Sequence, residues 1–259
     1  MSKWAKRIYA SLIFLFLYAP IIVLIVFSFN AGKYSGNWEG FSFRWYQELV
    51  DNSSIMKALY YTLTVAFASS IIATIIGTFA AFGIHHMRPV KKTIMLNVNN
   101  IPVLNPDIVT GVALMTLFGF VKMKFGVSTM LIAHITFNIP YVILSVLPKL
   151  KQLPQDALEA AMDLGATPWY AFRKVIFPEI LPGIVTGCLI AFTLSVDDFV
   201  ISFFTTGNGV TNLSIAIFSM ARRGIKPVIN ALSTIMFGTV LGLLLIVNRR
   251  TGDLSELDV

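Results

Sequence analysis

Six long stretches without a basic residue constrain this chain more than any other feature of its sequence. Each has 20 residues or more, none contains Lys, Arg or Glu, and three aspartates are the only charged groups in the set. A hydrocarbon core about 30 Å thick takes about 20 helical residues, so each stretch is long enough to cross a membrane. The stretches run over about 8–29, 58–84, 93–121, 126–147, 180–204 and 228–247. The sequence therefore predicts an all-α, polytopic membrane protein with six transmembrane helices.

The composition supports this prediction and excludes other classes of protein. Of the 259 residues, 56% are hydrophobic and 13% are charged, whereas soluble domains have about 45–50% apolar and about 25% charged residues. An ordinary cytosolic enzyme, a disordered chain and a secreted disulfide-rich domain are therefore excluded. The single cysteine, Cys188, and three histidines offer little material for a metal site, and we expect none. His134 is alone in its span, which favours an interhelical hydrogen-bond partner over a metal ligand.

The distribution of basic residues predicts the orientation. With an even number of spans both termini lie on one side, and twelve of the 20 Lys and Arg residues fall on that side against eight on the other. The positive-inside rule then places both termini of this cell-membrane protein in the cytoplasm. These loop ends account for the net charge of +7, so no nucleic-acid partner is required. The first apolar stretch, about 22 residues, is too long for the core of a signal peptide, and we expect it to remain as a helix.

The longest cytoplasmic loop, Pro148–Pro178, has helix signals of its own. Pro154 suits a first helical position, Asp156 lies where the helix dipole favours a negative charge, and Gly165 suits a C-terminal stop. This pattern predicts a helix over about 154–166 that is too short to span a bilayer and too apolar to stay in water. Such a helix either lies on the membrane surface or docks onto a cytoplasmic partner.

The same loop carries a recognisable motif. Glu159, Ala160 and Ala161 are followed after three residues by Gly165, and after nine more by Val-Ile-Phe-Pro at 175–178. This pattern resembles the EAA loop of ABC-importer permeases, in which EAA, three residues, Gly and nine residues precede Ile-x-Leu-Pro. The resemblance implies a role in coupling to an ATPase subunit for Glu159, Ala160, Ala161, Gly165 and Pro178.

The family resemblance also implies a fold and a set of partners. The fold would be that of a type I, MetI-like permease, with a first helix and extracytoplasmic loop over 1–57, a permease domain over 58–248 that includes the coupling loop 149–178, and a cytoplasmic tail over 249–259. The partners would be a second permease subunit, a dimer of ATPase subunits that bind ATP and Mg²⁺, and an extracytoplasmic binding protein. The chain has no Gly-rich phosphate loop, so we expect a non-catalytic subunit without a cofactor of its own.

Several further segments are similar to PotC-type permeases of spermidine/putrescine importers. They are Pro106–Val109, Phe192–Val200, Ser219–Arg222 and Asn230–Thr234, together with Asn37–Phe41 and Arg44–Tyr46 before the second span. The similarity covers nearly the whole chain and implies a polyamine substrate with PotB-like, PotA-like and PotD-like partners. Ser219, Met220 and Arg222 are candidates for an extracytoplasmic gate or for contact with the binding protein, and solvated surface charge is the simpler alternative for Arg222.

Three aspartates lie inside the predicted spans, where a carboxylate costs about 3 kcal/mol on insertion scales. One interpretation is structural, in which each aspartate caps a broken helix or pairs with another span. The other is a weak transit site for a polyamine, in which carboxylates bind ammonium groups and aromatic faces line the path. Adjacent residues on a helix point about 100° apart, so only one of Asp197 and Asp198 would face such a path directly. The candidate pathway residues are Asp107, Asn138, Tyr141, Asp197, Asp198 and Phe199.

Other functions stay open on the sequence alone. A related permease could carry an opine or ferric iron, because the external binding protein sets much of the selectivity. An ion-coupled secondary transporter would also use buried carboxylates, although it would leave the EAA loop unexplained. A polytopic membrane enzyme would use the three aspartates as acid, base or metal groups, and it would be active as an isolated chain.

Overall fold

The computed structural model describes the backbone of residues 3–33, 37–154, 157–223 and 227–255. Within these ranges the chain is helical apart from short connections, and its only β pairing is a single bridge between Asn30 and Phe41. The helices are α1 Lys3–Phe27, α2 Arg44–Asp51, α3 Ser53–His85, α4 Pro89–Leu104, α5 Asp107–Phe120, α6 Val127–Gln152, α7 Ala157–Asp163, α8 Pro168–Ala171, a π-helix Phe172–Ile176, α9 Phe177–Asp197, α10 Val200–Thr205, α11 Leu213–Arg223 and α12 Pro227–Ser255. The all-α prediction is confirmed.

Most of the predicted spans correspond to long apolar helices. Four are long and apolar enough to cross a membrane: α1, α3, α6 and the continuous helix Pro168–Asp197, which contains α8, the π-helix and α9. A fifth span exists if α4 and α5 are counted together. α12 begins where the sixth span was predicted, but among the described residues its apolar part covers only Pro227–Thr239. The multi-pass architecture is confirmed, and the count of six spans stays a prediction.

The third predicted span consists of two helices with different directions. α4 and α5 are bent by 104° at the break between them. Asn105 and Pro106 form this break with extended backbone, at ψ 145° and 138°. Proline has no N–H to continue the helix and disfavours helical geometry in the residue before it, so α4 ends ahead of Pro106. The single span predicted over 93–121 is therefore broken at Pro106, whereas Pro102 lies inside α4.

The chain divides into two compact units. One contains Met1–Met56 and Ile217–Val259, and the other contains Lys57–Ala216. In the first unit α12 packs against α1 and α2, and Trp45 and Leu49 of α2 are buried. In the second unit α6 and α9 form the main helix pair, and α10 packs against α5 and α6. The domain limits expected from the sequence stay predictions.

Two glycines allow α9 to approach α6 closely. Gly183 and Gly187 are four residues apart on α9. A Cβ atom at Gly183 would lie 2.8 Å from the carbonyl oxygen of Ser145, and one at Gly187 would lie 3.1 Å from the Cα atom of Val142. Small residues at this spacing let membrane helices pack backbone to backbone, where dispersion and short contacts replace the hydrophobic effect. The buried cluster beside this contact includes Ile143, Val146, Leu147, Leu150, Ile176 and Ile180.

Substitution of Gly183 by alanine should destabilise the protein by about 1–3 kcal/mol, because the added methyl group would collide with the Ser145 carbonyl and push the helices apart. The matched control is Gly83→Ala on α3, where no atom lies within 4 Å of the added carbon. Thermal unfolding of the purified protein in detergent should show a lower midpoint for Gly183→Ala and an unchanged one for Gly83→Ala. Equal midpoints for both variants would contradict the close contact.

Candidate coupling segment and intramembrane polar cluster

The predicted coupling motif begins on α7. The helix is shorter than the 154–166 expected, although residues 155 and 156 lie outside the described part of the chain. Pro154 was expected at the first helical position but is not helical, because it continues the extended connection that begins at Leu153, ψ 143°. The side chain of Glu159 lies outside the described residues, whereas Ala160 is exposed and Ala161 is half-buried.

Gly165 ends α7, as the sequence predicts. Its φ is +89°, in the left-handed region that favours glycine. The N–H of Gly165 donates to the Met162 carbonyl at 2.9 Å, and the N–H of Ala166 donates to the Ala161 carbonyl at 3.1 Å. This pair of bonds is the Schellman arrangement, which satisfies carbonyls at the end of a helix. No atom lies within 4 Å of a Cβ built at Gly165, so the backbone angle, not lack of space, selects glycine here.

A π-helix joins the coupling segment, which is residues 157–171, to α9. In this wider turn, Phe172–Ile176, the N–H of Phe177 donates to the carbonyl of Phe172. Pro178 lies in the first turn of α9 and has no N–H to donate to the Lys174 carbonyl, so regular α-helical bonding is not available at this point. Pro178 therefore shapes the junction between the coupling segment and the membrane helix.

Asp198 lies in a two-residue break between α9 and α10. One carboxylate oxygen accepts the N–H of Ile201 at 3.1 Å. The other accepts both the N–H and the hydroxyl of Ser202, at 2.7 and 2.8 Å. Asp198 thus caps the first N–H groups of α10, which would otherwise have no partner. The single helix predicted over 180–204 is wrong at this point, because this cap stabilises a new helix start.

His134 on α6 completes this contact. Its Nε2 atom lies 3.2 Å from the Asp198 carboxylate and 3.1 Å from the Ser202 hydroxyl. The side chains of His134 and Asp198 are only 3% and 8% exposed, so the pair is shielded from solvent within the described structure. The prediction that His134 is an interhelical hydrogen-bond partner is confirmed. The pair connects α6 to the break after α9.

A second polar contact lies one turn further along α6. The Asn138 amide donates to the Ser195 hydroxyl at 2.7 Å and approaches the Ser69 hydroxyl at 3.5 Å. The two serine hydroxyls are 3.1 Å apart. All three residues are buried, and they belong to α6, α9 and α3, so one polar contact joins three membrane helices. The structure therefore places Asn138 inside the helix bundle.

The other two aspartates are exposed. Asp107 is the first residue of α5, where the positive end of the helix dipole favours a carboxylate, and Asp197 is the last residue of α9. Gly111, one turn after Asp107, lies against α10: a Cβ there would be 3.5 Å from the Val200 carbonyl. The start of α5 is therefore a neighbour of the α9–α10 break.

Aromatic residues lie near the α9–α10 break. Tyr141 is half-buried, and its ring is 5.3 Å from that of Phe137. Phe199 in the break is half-buried, with its ring 5.6 Å from Phe203. Of the six predicted pathway residues, four thus lie at the surface or partly buried near the break, and Asp198 and Asn138 are in the interior.

The candidate extracytoplasmic residues lie on α11, Leu213–Arg223. Ser219 and Met220 are half-buried, and Arg222 is exposed. The guanidinium carbon of Arg222 lies 5.2 Å from the centre of the Phe218 ring, a cation–π distance. This contact holds the Arg222 side chain along the helix surface.

Sequence reasoning missed the serines that complete the polar contacts of His134, Asn138 and Asp198. Ser69, Ser195 and Ser202 are common residues in membrane helices, and most serine hydroxyls there bond to their own helix backbone. For two of them the available signal was spacing, since Ser195 lies three residues before Asp198 and Ser202 lies four residues after it. Ser69 has no such signal.

The match to known proteins covers most of the chain. The family model described as "Binding-protein-dependent transport system inner membrane component" matches residues 73–250. This range contains the coupling motif, the α9–α10 break and all three intramembrane aspartates.

Curated relatives match over 88–95% of this chain. The chain is 38% identical over 248 residues to the spermidine/putrescine transport system permease protein PotC of Haemophilus influenzae, covering 95% of this chain and 96% of the relative. It is 38% identical over 235 residues to PotC of Escherichia coli K12, with 91% and 88% covered. The putrescine transport system permease protein PotI of Escherichia coli K12 is 39% identical over 237 residues, with 88% and 83% covered.

Solved structures share the fold. A chain of a bacterial ABC transporter involved in the import of the acidic polysaccharide alginate matches with a TM-score of 0.73 at 15% identity, covering 96% of this chain and 93% of that one. A chain of the inward-facing MetNI methionine ABC transporter matches with a TM-score of 0.61 at 21% identity, covering 76% and 94%. At these identities the likeness establishes the fold alone, and the predicted MetI-like permease fold is confirmed.

Removal of the Asp198 carboxylate should destabilise the protein by roughly 1–3 kcal/mol, because the N–H groups of Ile201 and Ser202 and the His134 ring lose their buried acceptor. The neighbouring Asp197 is the matched control, since its carboxylate is exposed and a surface substitution changes stability by less than about 0.5 kcal/mol. Thermal unfolding of Asp198→Ala and Asp197→Ala measures the difference. A larger loss for Asp197→Ala would contradict the assigned positions.

Proposed function

The chain belongs to the family of binding-protein-dependent transport system inner membrane components, and from this premise we propose that it is the polyamine-carrying permease of an ATP-driven importer. As a member of this family it is a multi-pass, non-catalytic permease subunit of the inner membrane. The observation that carries the substrate proposal is its identity of 38–39%, over most of both chains, to permeases named for spermidine and putrescine. These relationships favour the importer over the secondary transporter and the membrane enzyme, and a polyamine over an opine or ferric iron.

The permease would act as half of a translocation path. Its partners would be a PotB-like second permease, two PotA-like ATPase subunits and a PotD-like binding protein outside the cell. ATP and Mg²⁺ would bind to the ATPase subunits, and this chain would hold no cofactor. The family match supports the presence of such partners, since the matching model is of an inner membrane component of a binding-protein-dependent system.

The charge distribution and the coupling motif support an orientation with both termini in the cytoplasm. With both termini in the cytoplasm, α7 and the π-helix are also cytoplasmic, on the side where ATP is available. Twelve of the 20 basic residues then lie inside, as the positive-inside rule favours. Ser219, Met220 and Arg222 on α11 would lie outside, where a binding protein or an outer gate would contact them.

Asp107 and Asp197 are the proposed contacts for the polyamine in transit. A polyamine carries ammonium groups separated by apolar methylene spacers, so it is recognised by separate carboxylates with aromatic faces between them. The start of α5 and the end of α9 supply exposed carboxylates on neighbouring elements, and Tyr141 and Phe199 supply partly exposed rings. Asp198 and Asn138 would support this site by holding the break in place rather than by contacting the substrate.

Neutralising either exposed aspartate should slow polyamine uptake about tenfold, since about 1.4 kcal/mol of charge-assisted binding would be lost. The measurement is ATP-driven uptake of labelled spermidine into liposomes that contain the assembled importer and its binding protein. Asp107→Asn and Asp197→Asn are the variants, and Asp51→Asn, an exposed carboxylate of α2, is the control. Wild-type uptake by both pathway variants, with assembly intact, would refute the proposed transit site.

Strain at the end of α7 should weaken coupling between ATP hydrolysis and transport. Gly165→Ala forces a side chain into the left-handed region at a cost of about 1–2 kcal/mol, which distorts the end of the coupling helix and should lower ATP-driven uptake at least about fivefold. Gly209→Ala is a matched control, because Gly209 also has a positive φ, +92°, with no atom within 4 Å of its added carbon, but lies in the loop between α10 and α11. Equal effects of the two substitutions on uptake would contradict a coupling role for α7.

A further inference from the structure

A groove on the second unit has no part in the proposed transport path. Its volume is about 510 Å³, and it lies between α3 and the helix that begins at α8. Its wall on α3 includes Thr74, Thr78 and Phe79, and its other wall includes Trp169, Phe172 and Arg173. The groove is therefore next to the coupling segment, and its described lining includes none of the three aspartates.

The rim of the groove faces outward over apolar surface. The side chains of Phe79 and Trp169 are apolar, yet they are 61% and 65% exposed. Thr78 lies seven residues, about 10 Å, before the end of α3 at His85, and the basic residues Arg88, Lys91 and Lys92 follow that end. With α3 spanning the membrane and His85 at its cytoplasmic end, as proposed, the groove would lie near the depth where acyl chains meet headgroups.

Two hydroxyl groups inside the groove are unused. The Oγ1 atoms of Thr74 and Thr78 are buried and have no hydrogen-bond partner among the described residues. Threonines elsewhere in these helices, such as Thr62, Thr136 and Thr186, donate to the carbonyl four residues earlier. A buried hydroxyl without a partner is costly, so Thr74 and Thr78 favour a ligand that brings oxygen acceptors into an otherwise apolar groove.

The mouth of the groove is positively charged. Arg173 is exposed and is the one charged residue in its described lining. The π-helix that places Arg173 and Phe172 here is a rare structure that is frequent at functional sites. A guanidinium group binds phosphate through two parallel hydrogen bonds, which matches the headgroup of a phospholipid.

We propose that this groove binds an acyl chain of an anionic phospholipid, with the lipid phosphate against Arg173 and the lipid ester oxygens near the two threonine hydroxyls. The apolar walls match the chain, the unused hydroxyls match the ester group, and the single cation matches the charge. Trp169 and Phe172, whose rings stack at 5.8 Å, connect the lipid to the coupling segment. The inference uses the proposed orientation only to assign the cytoplasmic leaflet, and it does not depend on the substrate.

The test labels the groove directly in the assembled importer. The complex is reconstituted in nanodiscs with phosphatidylglycerol or phosphatidylcholine that carries a photoactivatable diazirine on one acyl chain, and labelled peptides are identified by mass spectrometry. We expect phosphatidylglycerol to label segments 74–79 and 169–184 about fivefold more than phosphatidylcholine, the preference that one interfacial arginine supplies. Equal labelling by the two lipids would overturn the proposal, as would cross-links showing that another subunit covers the groove.

Two pairs of variants separate the charge from the cavity. Arg173→Gln should abolish the preference for phosphatidylglycerol, whereas Lys174→Gln, at the exposed neighbour outside the lining, should keep it. Thr78→Phe should reduce labelling by both lipids because it fills the groove, whereas Thr193→Phe, on an exposed part of α9, should not. An unchanged preference in Arg173→Gln would overturn the proposal.

Spermidine uptake by the same preparations keeps the two proposals distinct. Equal labelling of the wild-type importer by the two lipids, with normal spermidine uptake, would refute the lipid site alone. A clear lipid preference in a complex that does not transport spermidine would refute the polyamine assignment and leave the lipid site in place.

Discussion

The contact between α6 and α9 is the interaction on which the rest of this structure depends. Gly183 and Gly187 remove the side chains that would hold the two helices apart, so α9 packs directly on the backbone of α6. With its 21 residues, α9 is about 30 Å long and connects the π-helix at its start to Asp197 at its end. Its first turn is continuous with the π-helix and the coupling segment, and its last residue is Asp197. A displacement of α7 by an ATPase subunit would therefore reach the aspartates through one packed helix.

Two adjacent aspartates have different environments because the helix breaks between them. Asp197 completes α9 and stays exposed, whereas Asp198 turns inward, caps α10 and contacts His134. The structural interpretation therefore holds for Asp198, whereas contact with a cation is a proposal for Asp197. The Asp198 carboxylate accepts backbone N–H groups of α10, so the new helix can begin two residues after α9 ends, and the Asp197 side chain stays exposed.

Much of the fold could be predicted from the sequence. Apolar length alone predicts helices that cross a membrane, because every backbone polar group must be bonded within the bilayer. Gly165 predicted where α7 ends, since the left-handed residue after a helix is usually glycine. Pro106 marked the position of the break in the third span, because proline prevents the regular helical bond.

The bend angle between α4 and α5 and the hydrogen-bond partners on different helices could not be predicted. The 104° bend depends on how α4 and α5 pack, which no local rule contains. His134 and Asp198 are 64 residues apart, and hydrophobic patterning does not pair polar residues on different helices. The π-helix depends on the joint effect of Pro178 and the packing of Phe172 against Phe82, whose rings are 5.5 Å apart. These features follow from tertiary contacts, so a single sequence indicates only the residues that take part.

An experimental structure of the assembled importer with spermidine held in the translocation path would test the proposed transit site. We expect an ammonium nitrogen of spermidine within about 4 Å of a carboxylate oxygen of Asp107 or Asp197, with Asp198 still bonded to His134 and to the first N–H groups of α10. Spermidine bound to Asp198 in place of His134, or bound in the path away from both exposed aspartates, would contradict it.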